Sequence, residues 1–155
     1  KECPPFVREA PAYFNYKGIK YLLTSGTTGY YPNRSIVYRM NSIHGNWEEV
    51  NYPCENDIFN NSFHAQFSSV FKHPTIKDLY IALGDRWLTD LVLDLPNMDE
   101  AFYEMFSNIK EKKNLYNENL SDENTSEANY VWLPIKFDEN NIPHIYYLRE
   151  WKIEE

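Results

Sequence analysis

Glu9 stands in the run Arg8-Glu9-Ala10-Pro11-Ala12, just ahead of an aromatic stretch, Tyr13 to Thr24. Directly after that stretch comes Ser25-Gly26-Thr27-Thr28-Gly29-Tyr30-Tyr31-Pro32-Asn33. A loop of hydroxyls, amides and rings can hold a sugar. A carboxyl group beside it can protonate a glycosidic oxygen. Carbohydrate chemistry is therefore the first expectation. The residues alone also allow plainer roles. Glu9 suits a solvated partner for Arg8, and Thr27 suits a turn in which the hydroxyl bonds its own backbone.

These groups need elements to hold them. Residues 12–24 read as a hairpin turning at Lys17-Gly18. Residues 35–40 form a further strand, and Trp47 to Val50 follow the Gly45-Asn46 turn. Residues 51–61 are polar and irregular. Over 62–72 the pattern alternates. Phe63, Ala65, Phe67, Ser69 and Phe71 share one face; His64, Gln66, Ser68 and Val70 share the other. Residues 78–83 supply its partner strand, ending at Gly84-Asp85-Arg86-Trp87. Residues 130–137 and 142–148 flank an Asp138–Asn141 turn, and a last short strand covers 151–153.

One segment departs from this rhythm. Asn97 and Glu100 have capping-box spacing, and Met98, Phe102, Met105, Phe106 and Ile109 follow a helical period. An inserted helix near 97–113 with a polar loop is expected within 88–129. The expected fold class is all-β, with short hairpins arranged as a propeller or a sandwich.

Composition narrows the partners. The chain has 155 residues, sufficient for one domain, and 17% of them are aromatic, which favours strands carrying stacked rings. A formal charge of −8 without a basic block argues against nucleic acid. No apolar run is long enough to span a bilayer. Cys3 and Cys54 match no metal motif and suit either a disulfide or two free thiols. The four histidines lack metal spacing. His64 shares the face of Gln66, while His44, His73 and His144 fall near turns.

Several blocks together resemble glycoside hydrolase family 43, in the branch that includes exo-β-1,3-galactanases. They are Glu9-Ala10-Pro11-Ala12, Tyr21 to Gly29, Pro32-Asn33, Gly84-Asp85-Arg86-Trp87, Tyr130 to Ile135 and Glu150-Trp151, in that order. The resemblance implies a five-bladed β-propeller with its active site at the centre of one face. It further implies that this chain carries only the last two to three blades, as the C-terminal part of a catalytic domain. Inverting hydrolysis of galactan without a cofactor is the implied activity, with an extracellular or periplasmic location. The isolated piece is expected to be inactive. Its expected partners are an oligo- or polysaccharide and either the missing N-terminal blades or a second copy. The alternative is a non-catalytic, carbohydrate-binding propeller fragment.

By the same resemblance Glu9 matches the general acid, which must hold its proton near neutral pH. Gln66 matches the position at which this branch uses a glutamine in place of the usual aspartate base, although an amide is a poor base. Thr27 matches a sugar-contacting position. Asn33 is placed either on the ligand or in support of the loop. Asp85 and Arg86 are placed either on substrate or in an ion pair that orients the Gly84 loop. Trp87 suits stacking on a pyranose ring or closing a blade, Tyr30 and Tyr31 suit a stacking subsite, and His64 suits the channel wall. Trp132 and Trp151 are expected to be blade-packing residues. Calcium occupies the channel of some family members; nothing in these residues demands it.

Overall fold

The computed structural model describes residues 7–40, 42, 45–89 and 124–153. It is all-β, as expected. The strands are β1 (Arg8–Tyr16), β2 (Ile19–Gly26), β3 (Ile36–Met40), β4 (Glu48–Asn51), β5 (Gln66–Lys72), β6 (Tyr80–Arg86), β7 (Asn129–Phe137) and β8 (Pro143–Ile145). They form two four-stranded sheets in the orders β1-β2-β3-β4 and β5-β6-β7-β8, with every neighbour antiparallel. Each sheet is a simple meander of consecutive strands; short connections join them except between β6 and β7, which are linked through residues 87–128. The expected helix over 97–113 lies outside the described residues; a single 3-10 turn, Thr125–Glu127, precedes β7.

The two sheets meet through β1 and β5, the first strand of each. At one end of this seam the packing is aromatic. Tyr16 stacks on Phe137 with ring centroids 3.6 Å apart, and Phe14 stacks on Tyr21 at 5.0 Å. Two hydroxyls then cross between the sheets: Tyr21 donates to the Asn141 carbonyl at 2.6 Å, and Tyr80 donates to the Asn15 carbonyl at 2.6 Å. A buried tyrosine needs such a partner, so each ring is fixed in depth as well as direction. Leu23, Val37, Ala65, Phe67, Ala82, Leu133 and Ile145 continue the shared core. The linker between the sheets closes the far edge of the second. Pro53 and Glu55 exchange backbone hydrogen bonds with Ile145 across a parallel bridge at Cys54. The β8 edge is thereby covered.

Three strand expectations are corrected. The alternation read over 62–72 is not one strand. Ser62, Phe63 and His64 all take positive φ, near 60°, so the chain turns there and β5 starts at Gln66. A register shift between Phe67 and Ser69 then inserts an extra residue, which reverses the faces. Phe71 is exposed in consequence, and Val70 packs against the core. In the segment 142–148 only Pro143–Ile145 is strand, and 151–153 pairs with nothing in a ladder. Trp132 is half-exposed on the outer face of β7, where it meets the edge of Phe71 and its carbonyl accepts from the Trp151 indole at 2.7 Å. Trp132 and Trp151 therefore pack on the outer face of the second sheet, away from the seam.

Candidate functional site

The polar end of the seam lies opposite the aromatic one. Glu9 is the second residue of β1, Ser25 the last but one of β2, and Gln66 begins β5. Glu9 and Ser25 are direct cross-strand partners. Between Glu9 and Ala12 the register slips by one residue, and Ala10 sits at φ 47°. This is a β-bulge. Pro11 explains its place, since proline cannot donate to a ladder and is tolerated in strands at bulges and edges. Bulges re-aim neighbouring side chains. Here the neighbour is the candidate acid.

The structure brings Glu9 and Gln66 together. The Gln66 amide nitrogen donates to Glu9 Oε1 at 2.9 Å and to Ser25 Oγ at 2.9 Å. One oxygen of the carboxyl group is thus fixed by an amide from the other sheet. Ser25, almost fully buried, was not singled out from the sequence. Only its cross-strand place opposite Glu9 would have exposed its role. An acid and a base that invert a glycoside stand about 6.5–9.5 Å apart, leaving room for water. The direct 2.9 Å contact makes Gln66 a positioning residue for Glu9 in this structure.

Beside the pair, the 25–33 loop is clasped by Asn33. Its side chain accepts from the Gly26 N–H at 2.7 Å and donates to the Gly26 carbonyl at 3.0 Å and to Thr28 Oγ1 at 2.6 Å. Thr28 in turn donates to the Tyr31 carbonyl at 2.7 Å. Asn33 is buried and spent on the loop, so of its two expected roles the supporting one is observed. Gly29, at φ 63°, supplies a backbone conformation that side chains resist. Thr27 Oγ1 is buried without a hydrogen-bond partner among the described residues. Tyr30 is half-exposed and lies 5.5 Å from Trp87, ring centre to ring centre. The two form an aromatic pair between the loop and the end of β6; Tyr31 is buried.

Asp85 and Arg86 are not paired with one another. Successive strand residues point to opposite faces. Asp85, the cross-strand partner of Gln66, accepts from Ser68 Oγ at 2.9 Å. Arg86 makes no ion pair among the described residues, and its Nε is buried without a partner. His64 is half-buried. Burial first, and the Arg86 charge second, lower its pKa from the ordinary 6.5; a hydrogen bond to the Leu88 backbone opposes them. Burial thus favours the neutral imidazole over the charged one.

Asp57, also unforeseen, organises the turn that delivers Gln66. It accepts from the Tyr52 hydroxyl and from the backbone N–H groups of Phe59, Asn61 and Phe63. Asn61 Oδ1 accepts from the His64 N–H at 3.0 Å, and Ser62 Oγ joins Asn33 and Ser35. The left-handed residues 62–64 are therefore held by hydrogen bonds, as strained backbone must be. His144, expected in solvent, has Nδ1 2.5 Å from Glu55 and Nε2 3.6 Å from Asp138. Cys54 is a buried free thiol whose pKa is pushed up by burial, and Cys3 lies outside the described residues. Among the described residues no three His, Cys, Asp or Glu side chains are grouped to hold a metal ion. Among them, too, no helix is long and apolar enough to cross a membrane.

No protein-family profile matches the chain, and neither does any curated protein. Solved structures do. A GH43 β-1,3-galactosidase with galactodeoxynojirimycin matches at TM-score 0.67 and 23% identity, over 94% of this chain and 32% of that one. An exo-β-1,3-galactanase from Clostridium thermocellum matches at TM-score 0.56 and 23% identity, over 90% of this chain and 23% of that one. A putative exo-β-1,3-galactanase from Bifidobacterium bifidum s17 matches at TM-score 0.58 and 14% identity, over 94% of this chain and 37% of that one. The chain spans about a quarter to a third of the length of these proteins. It has the fold of part of a glycoside hydrolase family 43 β-1,3-galactosidase.

Proposed function

We propose that this chain is part of a family 43 glycosidase that releases galactose from β-1,3-linked galactan, with Glu9 as the proton donor. The observation that carries the reading is the hydrogen bond between Glu9 and Gln66, made across the seam of two sheets beside a loop with an unpaired hydroxyl. In this mechanism Gln66 holds Glu9 Oε1, and the other carboxyl oxygen carries the proton to the leaving oxygen. Thr27 meets a sugar hydroxyl, and the Tyr30–Trp87 pair offers a ring face to the pyranose. The two sheets are two blades of a five-bladed propeller. Further blades, from a longer polypeptide or a second copy, complete the ring and supply the group that activates water.

The test is galactose release from β-1,3-galactan by the ring-complete polypeptide, with and without Glu9→Gln. The substitution keeps the shape and removes the proton. A loss of about 10²–10⁴-fold with an unchanged melting temperature is expected. Unchanged turnover would remove Glu9 from the mechanism. If galactan binds but neither form releases galactose, the chain is instead a carbohydrate-binding relative.

A further inference from the structure

A pocket of about 250 Å³ opens between the 56–63 loop and the end of β6. Asn61, His64 and Arg86 line it, together with the rings of Phe59, Phe63 and Tyr147. Three buried polar atoms without a hydrogen-bond partner among the described residues belong to this one lining: Asn61 Nδ2, His64 Nδ1 and Arg86 Nε. Asn61 is fully buried and is held through its Oδ1 by the His64 N–H. Its amide nitrogen is therefore fixed in place with nothing to donate to. Leaving a donor buried and unpaired is costly, more so for a charged group. Two such donors, Asn61 Nδ2 and Arg86 Nε, in one concavity mark a place where a ligand completes the bonding.

We infer that this pocket binds the carboxylate of an acidic sugar unit, held by the Arg86 guanidinium and the Asn61 amide. Guanidinium geometry matches a carboxylate, and the amide adds a second donor. Among the described residues the one carboxylate in the wall, Asp57, is no competitor. Asp57 is turned into its own loop, accepting from Asn61 and Phe63 N–H at 2.8 and 3.2 Å and from the Tyr52 hydroxyl. The ring of Phe63 lies 5.7 Å from that of Tyr147, and Phe59 is exposed, so the walls suit a pyranose face. His64 precedes Gln66 by two positions, and Arg86 follows Gln66's cross-strand partner Asp85. Glu9, Ser25 and Gln66 do not line the pocket, and Arg86 points to the face of β6 opposite Asp85, so this is a site separate from the Glu9–Gln66 pair. That the acidic unit is a sugar rests on the glycosidase reading above; the carboxylate preference rests on the pocket alone.

The test is an NMR titration that follows the His64 imidazole resonances as D-galacturonate, its methyl ester or D-galactose is added. Saturable shifts are expected with galacturonate, with the neutral ester and galactose about tenfold weaker or worse. Arg86→Gln should weaken galacturonate by about tenfold or more. Equal affinity for acid and ester, no saturable shift, or indifference to Arg86→Gln would overturn the inference. A carboxylate of the protein itself seated on Arg86 would appear as no saturable shift. If Arg86→Gln does not fold, the comparison of acid and ester in the native protein decides alone. Galactose release after Glu9→Gln is read separately, so either proposal can fail without the other.

Discussion

At the scale of single residues, the candidate acid is aimed by strain next to it. Ala10 occupies the left-handed region beside Glu9, at φ 47°. That conformation costs a non-glycine residue on the order of 1 kcal/mol. Ala10→Gly relieves that cost but adds about 0.4–1 kcal/mol of unfolded-chain entropy, so stability should stay level or rise by a few tenths of a kcal/mol, measured by urea unfolding. A stability loss would show that the bulge is not strained. His64 offers a test by pH. Its folded pKa is lowered by burial and Arg86, while the unfolded chain titrates near 6.5. Below 6.5 the unfolded state takes the proton first, so stability present above that value declines as pH falls towards the folded pKa. The charged groups that act on the imidazole are Arg86, which lowers its pKa, and Asp57, which with the Leu88 backbone hydrogen bond raises it. Unfolding midpoints at about pH 7.5 and about pH 5 should differ more in the native protein than in His64→Gln. An identical difference in both would assign the effect to other groups.

At the scale of elements, side chains crowd the face of β6 at Gly84. A Cβ on Gly84 would stand 3.0 Å from Ala65 Cβ, 3.1 Å from Val131 Cγ1 and 3.2 Å from Phe67 Cδ1. The Ala65 methyl is fixed to its backbone and cannot turn aside. Gly84→Ala should destabilise by about 1–3 kcal/mol in thermal unfolding, and no loss would mean the sheet yields there. The hairpins themselves were legible in the sequence because alternation and short polar turns specify antiparallel neighbours. Alternation fails where the ladder gains a residue. The bulge at Ala10 hides how Glu9 is aimed, and the bulge after Phe67 sends Phe71 outwards where the pattern placed it inside. The turn at 62–64 also looked like strand, since its apolar residues keep a period of two while Asp57 and Asn61 hold the backbone left-handed.

At the scale of the whole molecule, one seam carries two kinds of packing. The aromatic end, tied by the Tyr21 and Tyr80 hydroxyls, locks the sheets together. The polar end then presents Glu9, Ser25 and Gln66 from three strands with little freedom to separate. The pairing of Glu9 with Gln66 was legible only through resemblance, because their residues lie 57 positions apart. Ser25, Asn61 and Asp57 were not legible at all. Their roles depend on which neighbour the sheet register or the turn brings to them, and their residue types are ordinary. The measurement that tests the central claim most directly is leaving-group dependence in the ring-complete polypeptide. Protonation matters only for a poor leaving group. Glu9→Gln should slow cleavage of β-1,3-galactobiose by about 10²–10⁴-fold while largely sparing dinitrophenyl β-galactoside. Equal slowing of both substrates, or slowing of neither, would contradict Glu9 as the proton donor.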